Sequence, residues 1–597
     1  MKFAAKDAMS IFDEMKSLPA LSLHAYGQPG FKGFFHRVGE EWVCYSSSNM
    51  KESIYFLSLA LRKLGVGKGV GVGIIAASSP KWIMFDLATQ ICGGYTVPIF
   101  SNISSEHFEF QVKDAKVKVL AIDSWEALSP QNQSLVNSID SLIYFSQLPN
   151  GAEHKNMFSW DSFIKEGEKL DSELERKGFA ERIKSINGEE IFSIIYTSGS
   201  TGTPKGVPIT QNNMVSHLKA ISSFFVVRPS DTCMSILPIA HVFERMVIYY
   251  FSSFALAIYF VDTPNNVGKY LPEIRPSILT VVPRVLEKLY QKLIDASNQK
   301  RGPIKWLMKY AINKAKTTDP SKVSLRGTIW DKLVYSKMRA ALGDNFYLIV
   351  SGASALSLPV NKFLRNIGLP LYEGYGLTEC SPVISAECPG NIKVGSVGKP
   401  LFNLEVRISP EEEILVKGPS VFSGYFNRPD LNEKIFTDDG FFHTGDKGRI
   451  DKDGYLWITG RLKEMFKTST GKYVSPIPIE QALCQRASIE AAQIFAEGRK
   501  FTSAILFLNQ DVIRSRLKKS ERDFDAEKAL KSERLNTALQ KHIDSVNEHL
   551  NEWEKIKKWK ALFTVLSTEN GLLTPTLKLR RRTIEKVFAK EINEMYE

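Results

Sequence analysis

The chain has 597 residues, too many for one hydrophobic core, and 43% apolar content with mixed charge marks a globular protein of at least two domains. Its net charge of +12 arises from 77 basic against 65 acidic residues, an excess spread over the surface that excludes a polybasic tail. Nucleic acid, an anionic membrane, a phosphorylated substrate or a plain solvated surface would each suit such a field.

The six cysteines, Cys44, Cys92, Cys233, Cys380, Cys388 and Cys484, form no CxxC pair and no metal-ligand spacing. A reduced, cytoplasmic protein is expected. The opening MKFAAKDAMSIFDEMKSLPAL places Asp7, Asp13 and Glu14 where a secretion signal needs an unbroken apolar core.

From Gly65 the sequence reads GVGKGVGVGIIAASSPKWIMFDLATQICGGYTVPIF, the strand, helix, strand order of an α/β layer. Gly71, Gly73 and Ala76 match a loose dinucleotide fingerprint, but they precede or sit inside the apolar strand, whereas that fingerprint follows one. They are read as a decoy.

Next comes the apolar strand IFSIIY, running into YTSGSTGTPKGVPIT, Tyr196 to Thr210. Lys205 lies between Pro204 and Gly206, so the GxxxxGK[ST] loop of nucleoside triphosphatases does not fit. Glycines that turn backbone N–H groups inward, hydroxyl donors and one lysine nevertheless make a phosphate-gripping loop.

The most membrane-like run, MVIYYFSSFALAIYFV from Met246 to Val261, is shorter than the roughly 20 apolar residues a spanning helix needs. It predicts a buried helix running into a buried strand. Strand-then-helix patterns recur at Ser277 to Leu293 and at Asn345 to Gly368. The interval Ser297 to Arg326, basic and helix-rich, reads as an exposed excursion. After about Gly390 short alternating strands predict a small β-rich subdomain, about 391–460, and the last 130 or so residues read as a separate α+β domain.

At YTSGSTGTPKG the sequence resembles the phosphate loop of the adenylate-forming (AMP-binding) superfamily of acyl-CoA synthetases, luciferases and peptide-synthetase adenylation domains. Further signatures follow in the superfamily's order: YEGYGLTE at Tyr372 to Glu379, HTGD at His443 to Asp446, GRLKE at Gly460 to Glu464 and LTPTLKLRRR at Leu573 to Arg582. The resemblance implies an α/β fold with a large N-terminal domain, 1–460, of mixed and parallel sheets, followed by a small mobile α+β domain, 461–597.

It also implies a two-step reaction with ATP and magnesium: a carboxylate attacks the α-phosphorus, pyrophosphate leaves, and a thiol then displaces AMP. By resemblance, Thr197, Ser198, Gly199, Ser200, Thr201, Gly202, Thr203 and Lys205 hold the β- and γ-phosphates. Glu379 binds magnesium, Thr378 reaches the α-phosphate, Tyr375 and Gly376 lie against the adenine, and Gly352, Ala353 and Ser354 line the base pocket. Asp446 accepts from the ribose hydroxyls beside Arg461. Lys578 is the catalytic lysine, Lys463 the hinge, and Lys467 lies near AMP or the pantetheine arm, with Thr468 to Val474 lining the thiol tunnel.

LPIAHVFERM, TSTGKYVSPIPIE and LTPTLKLRRRTIEKVF resemble the long-chain fatty acyl-CoA synthetase branch. That implies a fatty acid substrate, His241 near its carboxylate, and the Met246 to Val261 run as wall of an acyl channel. The acceptor stays open between CoA and acyl carrier protein. Peripheral docking on an anionic membrane fits the basic surface, and no nucleic acid partner is implied. A non-catalytic nucleotide-binding regulator of the same fold would lack Lys578 or Glu379, and this sequence has both. One departure is Glu412, in EEEILVKG, where many relatives have glycine.

Overall fold

In the computed structural model, strand Gly71–Ile75, helix Pro80–Ile91 and strand Tyr95–Pro98 follow one another as predicted, the two strands pairing in parallel. The helix starts where Ser79 caps the N–H of Trp82 and Pro80 supplies a ready-made first turn. Gly71 and Gly73 sit inside the strand for packing. A Cβ on Gly71 would lie 2.2 Å from the Ala115 carbonyl oxygen, and one on Gly73 2.7 Å from the Leu120 side chain.

The structure describes residues 5–101, 103–146, 154, 156–197, 203–261, 266–321, 324–462, 465–486, 488–517, 524–567, 570–573 and 579–597. Two units emerge, Met1–Thr444 with Arg449–Trp457, and Gly445–Gly448 with Ile458–Glu597.

In the first unit a seven-stranded sheet runs in the order Met157–Ser159, Ser141–Tyr144, Val117–Ile122, Gly71–Ile75, Tyr95–Pro98, Ile191–Thr197, Lys205–Thr210. All its neighbours are parallel except the last pair, an antiparallel hairpin. A nine-stranded sheet has the order Lys399–Pro400, Val383–Ala386, Leu371–Gly376, Leu348–Ser351, Ile278–Val281, Thr232–Ser235, Ala257–Phe260, Phe34–Val38, Glu41–Tyr45. Its six inner strands, Leu371–Gly376 to Phe34–Val38, are parallel and the edges antiparallel.

The run from Met246 forms what its apolarity predicts, helix Val242–Ser253 and then strand Ala257–Phe260, every residue of the helix being buried. Among the described residues no helix is long and apolar enough to cross a membrane. The helix nonetheless carries a buried charge. Arg245 pairs with Asp86, both side chains fully enclosed, its Nε 3.1 Å from Asp86 Oδ2. Its Nη1 donates to Ser193 Oγ at 2.6 Å and its Nη2 to Thr96 Oγ1 at 2.5 Å. Because Asp86, Thr96 and Ser193 belong to the seven-stranded layer and Arg245 to the nine-stranded one, this network joins the two sheets.

Within Ser297 to Arg326, helix Gly302–Thr317 is only half an excursion: Ala311, Ile312 and Ala315 are buried. Tyr335 donates to the Ala311 carbonyl at 2.7 Å, and Asn366 to those of Ala315 and Thr318 at 2.8 and 2.9 Å.

Lys399–Pro400 joins the nine-stranded sheet, whereas Glu405–Ile408 and Glu413–Lys417 pair as an antiparallel hairpin of a small sheet. Glu412 sits in its turn at φ +66°, with its N–H donating to the Ser409 carbonyl at 2.9 Å. The chain thus keeps a backbone that favours glycine and bears a side chain there at a cost of about 1 kcal/mol. The chain passes between the units along strands Phe442–Ile450 and Leu456–Arg461.

The second unit is built on a three-stranded sheet, Ile489–Phe495, Thr502–Leu508 and Ile556–Leu562, antiparallel then parallel. Its central strand alternates between two cores, Ala504, Leu506 and Leu508 on one face and Ile505 and Phe507 on the other. The fold is therefore the expected one, a large domain of parallel and mixed sheets with helices and a small α+β domain.

Candidate active site

The stretch expected to grip phosphate runs between the two strands, Ile191–Thr197 and Lys205–Thr210, whose antiparallel pairing closes the seven-stranded sheet. Thr197 and Lys205 face each other across the two strands, as do Tyr196 and Gly206. The second strand, Lys205–Thr210, was not predicted, because its apolar residues are interrupted by Pro208. Antiparallel pairing at a sheet edge accommodates that proline. Ser198, Gly199, Ser200, Thr201 and Gly202 lie outside the described residues; Thr203 and Lys205 lie within them.

Several contacts anchor the two strands of this hairpin. Tyr196 donates to Asp114 Oδ2 at 2.6 Å, and burial together with that carboxylate raises its phenol well above the usual range. Thr210 and Asn213 form a capping box that starts helix Gln211–Phe224. The Asn213 amide also donates to the carbonyls of Pro419 and Val421 at 2.8 and 3.1 Å, and Phe426 N–H to that of Gly206 at 2.9 Å.

Those contacts deliver Tyr425 to the site. The Lys205 ammonium lies 4.9 Å over its ring, and its hydroxyl donates to Glu379 Oε1 at 2.9 Å. Glu379 is further fixed through its carbonyl, which accepts from Phe422 N–H at 2.9 Å. Lys205 and Glu379, 174 positions apart in sequence, therefore meet across one aromatic ring. Sequence reading missed Tyr425, since a Gly-Tyr pair in a turn carries no chemical signature of its own.

The remaining first-unit candidates share one edge of the nine-stranded sheet. In parallel strands all C-terminal ends point the same way, and ligands bind outside them. Strand Thr232–Ser235 leads to His241, strand Leu348–Ser351 to Gly352, Ala353 and Ser354, and strand Leu371–Gly376, which contains Tyr375 and Gly376, to Thr378 and Glu379. Ser351 and Glu373 are in register on adjacent strands. Gly352 is buried, with the Phe243 ring 3.4 Å from where a Cβ would stand, while Ala353 and Ser354 are exposed. Tyr375, Gly376, Thr378 and Glu379 are half-buried. Gly376 is required by close approach, as a Cβ there would meet the Pro382 carbonyl oxygen at 1.9 Å.

His241 caps helix Val242–Ser253, its Nδ1 accepting from Phe243 N–H at 3.3 Å, so the proton of the neutral ring sits on Nε2. Behind the edge, Glu373 accepts from Leu356 N–H at 3.3 Å and from the Asn361 amide at 2.5 Å, tying the loop after Ser351 to the strand before Gly376. Burial, with the nearby Glu387 carboxylate, pushes Glu373 up to about 7.

The other candidates belong to the second unit. Asp446, buried, accepts from Arg461 Nε at 2.8 Å. Lys467 is exposed on the hairpin Phe466–Lys467 with Tyr473–Val474, its ammonium 5.8 Å over Tyr473, and Thr468 to Val474 complete that hairpin. Lys463 and Lys578 lie outside the described residues. Of the basic cluster around Lys578, Arg581 is tied to Glu480, its Nη1 2.7 Å from Oε1.

A family model described as AMP-binding enzyme matches residues 25–426, and one described as AMP-binding enzyme C-terminal domain matches 464–597. Over 589 residues the chain is 29% identical to long-chain-fatty-acid–CoA ligase FadD15 of Mycobacterium bovis, covering 96% of both. It is 30% identical over 593 residues to long-chain-fatty-acid–CoA ligase 5 of Rattus norvegicus, covering 93% of this chain and 84% of the relative. Among solved structures, the adenylation domain of a carboxylate reductase from Mycobacterium chelonae superposes with a TM-score of 0.78 at 19% identity, over 99% of this chain and 93% of that one. The o-succinylbenzoate CoA synthetase of Bacillus subtilis, solved with its acyl-adenylate intermediate, superposes with a TM-score of 0.68 at 20% identity, over 95% and 97%. With family models matching residues 25–426 and 464–597, this chain belongs to the AMP-binding enzyme family.

Proposed function

We propose that the protein is a long-chain fatty acid:CoA ligase, activating its acid with ATP and then passing the acyl group to the CoA thiol. The observation that carries the adenylation half is the meeting of Lys205 and Glu379 across Tyr425, a cation that ends a Gly- and hydroxyl-rich stretch of sequence and a hard oxygen ligand. The names of the curated relatives support the choice of a long-chain acid and of CoA.

In the first step a carboxylate oxygen attacks the α-phosphorus, the bond to the β-phosphate oxygen breaks, and pyrophosphate leaves. An anion meets a polyanion, so the protein's task is positive charge and positioning. Thr197 to Lys205 would hold the leaving phosphates, with Thr378 on the α-phosphate. Magnesium takes one or two carboxylates and completes its shell with water and phosphate oxygens, so the single carboxylate of Glu379 fits it. When bound it would neutralise phosphate charge.

Tyr375, Gly376 and Gly352 to Ser354 would line the adenine site. Asp446 would accept from the ribose hydroxyls, with Arg461 holding its carboxylate in place. His241, donating from Nε2, would orient the fatty carboxylate. In the second step the CoA thiolate attacks the acyl carbon, the bond to AMP breaks, and the thiol proton passes to solvent. We assign Lys578 to the charge that grows in the first step and Lys463 to a hinge about which 461–597 turns between steps, bringing Lys467 and Thr468 to Val474 to the thiol path.

Two measurements test this. Purified protein with ATP, magnesium and a fatty-acid series, offered CoA or acyl carrier protein in parallel, is expected to form acyl-CoA from long chains. Product with the carrier protein alone would overturn the CoA assignment and leave the adenylation step standing. Lys578→Ala is expected to slow pyrophosphate exchange into ATP by about 10²–10³-fold, the usual loss of one transition-state donor. Exchange at the normal rate would remove Lys578 from the mechanism.

A further inference from the structure

Helix Gly302–Thr317 carries a surface for which adenylation has no use. Ala311, Ile312 and Ala315 fill its inner face, leaving the opposite face to solvent. Trp306 and Tyr310, one turn apart on that face, are 69% and 49% exposed, and their rings stack with centroids 5.9 Å apart. Trp330, from the segment that follows, packs 5.0 Å from Tyr310 and extends the pair to a column of three aromatic rings. Ile304, Ile329 and Leu333, in the same two segments, are also exposed. Apolar side chains exposed singly are ordinary, but a group of them marks an interface.

Charge identifies the partner. Lys305 and Lys309 flank the stacked rings at helical spacing, and the Lys314 ammonium lies 5.8 Å over Trp330. Between Lys300 and Arg339 the acidic residues are Asp319 and Asp331 alone, and Asp331 is buried and paired with Arg339 at 2.6 Å. A second copy would set this positive face against itself in a twofold contact, with like charges opposed. An anionic bilayer satisfies both features: Trp and Tyr rings settle at headgroup level, and lysines extend from an apolar stem to the lipid phosphates.

We propose that the Trp306–Tyr310–Trp330 face, with Lys305, Lys309 and Lys314 around it, docks this protein on anionic lipid bilayers, lying in the interface without spanning it. The docking rests on this surface alone and on none of the catalytic assignments.

Co-sedimentation of the full chain with vesicles tests it. Vesicles of phosphatidylglycerol and phosphatidylcholine are expected to bind at least tenfold more protein than phosphatidylcholine alone, and the excess to shrink in high salt. The double variant Trp306→Ser/Tyr310→Ser, and separately Lys305→Glu/Lys309→Glu, are expected to lower binding to the anionic vesicles at least tenfold. Both should keep the circular dichroism, melting temperature and pyrophosphate exchange of the parent. Undiminished binding by the folded double variants, or no binding by the parent, would overturn the proposal. So would a parent dimer, seen by sedimentation velocity, that the Trp306→Ser/Tyr310→Ser change converts to monomer, since the face would then be a contact between copies. A parent that binds vesicles and activates no acid would sink the ligase reading and leave the docking intact.

Discussion

The hydroxyl of Tyr425 donates to Glu379 Oε1 at 2.9 Å while the Lys205 ammonium lies 4.9 Å over the same ring. One side chain thereby sets the separation of a cation and a carboxylate that come from different sheets. Removing the hydroxyl takes this hydrogen bond from the carboxylate and leaves the ring. Tyr425→Phe is expected to lower kcat/KM for ATP about tenfold, near 1.4 kcal/mol, with a raised magnesium requirement. Tyr425→Leu, which also removes the cation–π contact, should lose more. Pyrophosphate exchange titrated with magnesium reads both. An unchanged magnesium requirement in Tyr425→Phe would mean that the hydroxyl does not position Glu379.

Gly376 has no room for a side chain, a Cβ being 1.9 Å from the Pro382 carbonyl oxygen and 2.9 Å from Ile384 N. Gly376→Ala must part the strands Leu371–Gly376 and Val383–Ala386, displacing Thr378 and Glu379 with them. Overpacking of this kind costs about 1–3 kcal/mol, and a shift of the site by about 1 Å costs roughly 10²-fold in rate. Thermal unfolding and exchange measured together should show both losses.

The Arg245–Asp86 pair is fully enclosed, and it binds Ser193 and Thr96 as well. Arg245→Met leaves the Asp86 charge buried without its partner and is expected to destabilise the first unit by about 3–5 kcal/mol in urea unfolding. Asp86→Leu added to that variant should recover part of the loss, because the stranded charge is gone. A single variant as stable as the parent would show that the network is dispensable.

Glu244, next to Arg245 on the same helix, is buried; Ser235 Oγ donates to its Oε1 at 2.6 Å, and burial pushes its carboxyl up to about 8. The folded state holds this proton more tightly than the unfolded one, so its contribution to stability is complete below the ordinary range of 4.5 and is lost as pH rises toward 8. His217 has the opposite sign: buried, with neither ring nitrogen hydrogen-bonded among the described residues, it is held down to about 3. Its contribution is present above 6.5 and is lost as pH falls toward 3. Glu244→Gln keeps an acceptor for Ser235 and is expected to flatten the loss of stability between pH 4.5 and 8 in chemical denaturation. A parent whose stability does not fall over that interval would contradict the buried-carboxyl reading.

Much of the large unit was legible in order along the chain. Apolar runs stopped by Ser78 to Pro80 or by Gly93 and Gly94 mark strand and helix ends locally, and the buried course from Met246 to Val261 follows from its lack of charge beyond helix Val242–Ser253's first turn. The strand Lys205–Thr210 was not legible, since pairing with Ile191–Thr197, not its own pattern, makes it a strand. The excursion near Gly302 was half legible: basic composition marks exposure, but only packing against Tyr335 and Asn366 shows which face is exposed.

By itself the sequence determined which chemical groups exist and in what order: a stretch of glycines and hydroxyls with Lys205, a carboxylate at Glu379, an aspartate closing HTGD at Asp446, and a late lysine at Lys578. Short-range patterns encode these because each depends on its immediate neighbours. Only the tertiary structure decided that Tyr425 stands between Lys205 and Glu379, that Asp86 answers Arg245, and that three aromatic rings line up beside Lys305 and Lys309. Each of those is a contact between segments separated in sequence, set by sheet order and burial, and nothing in the residues themselves announces the partner.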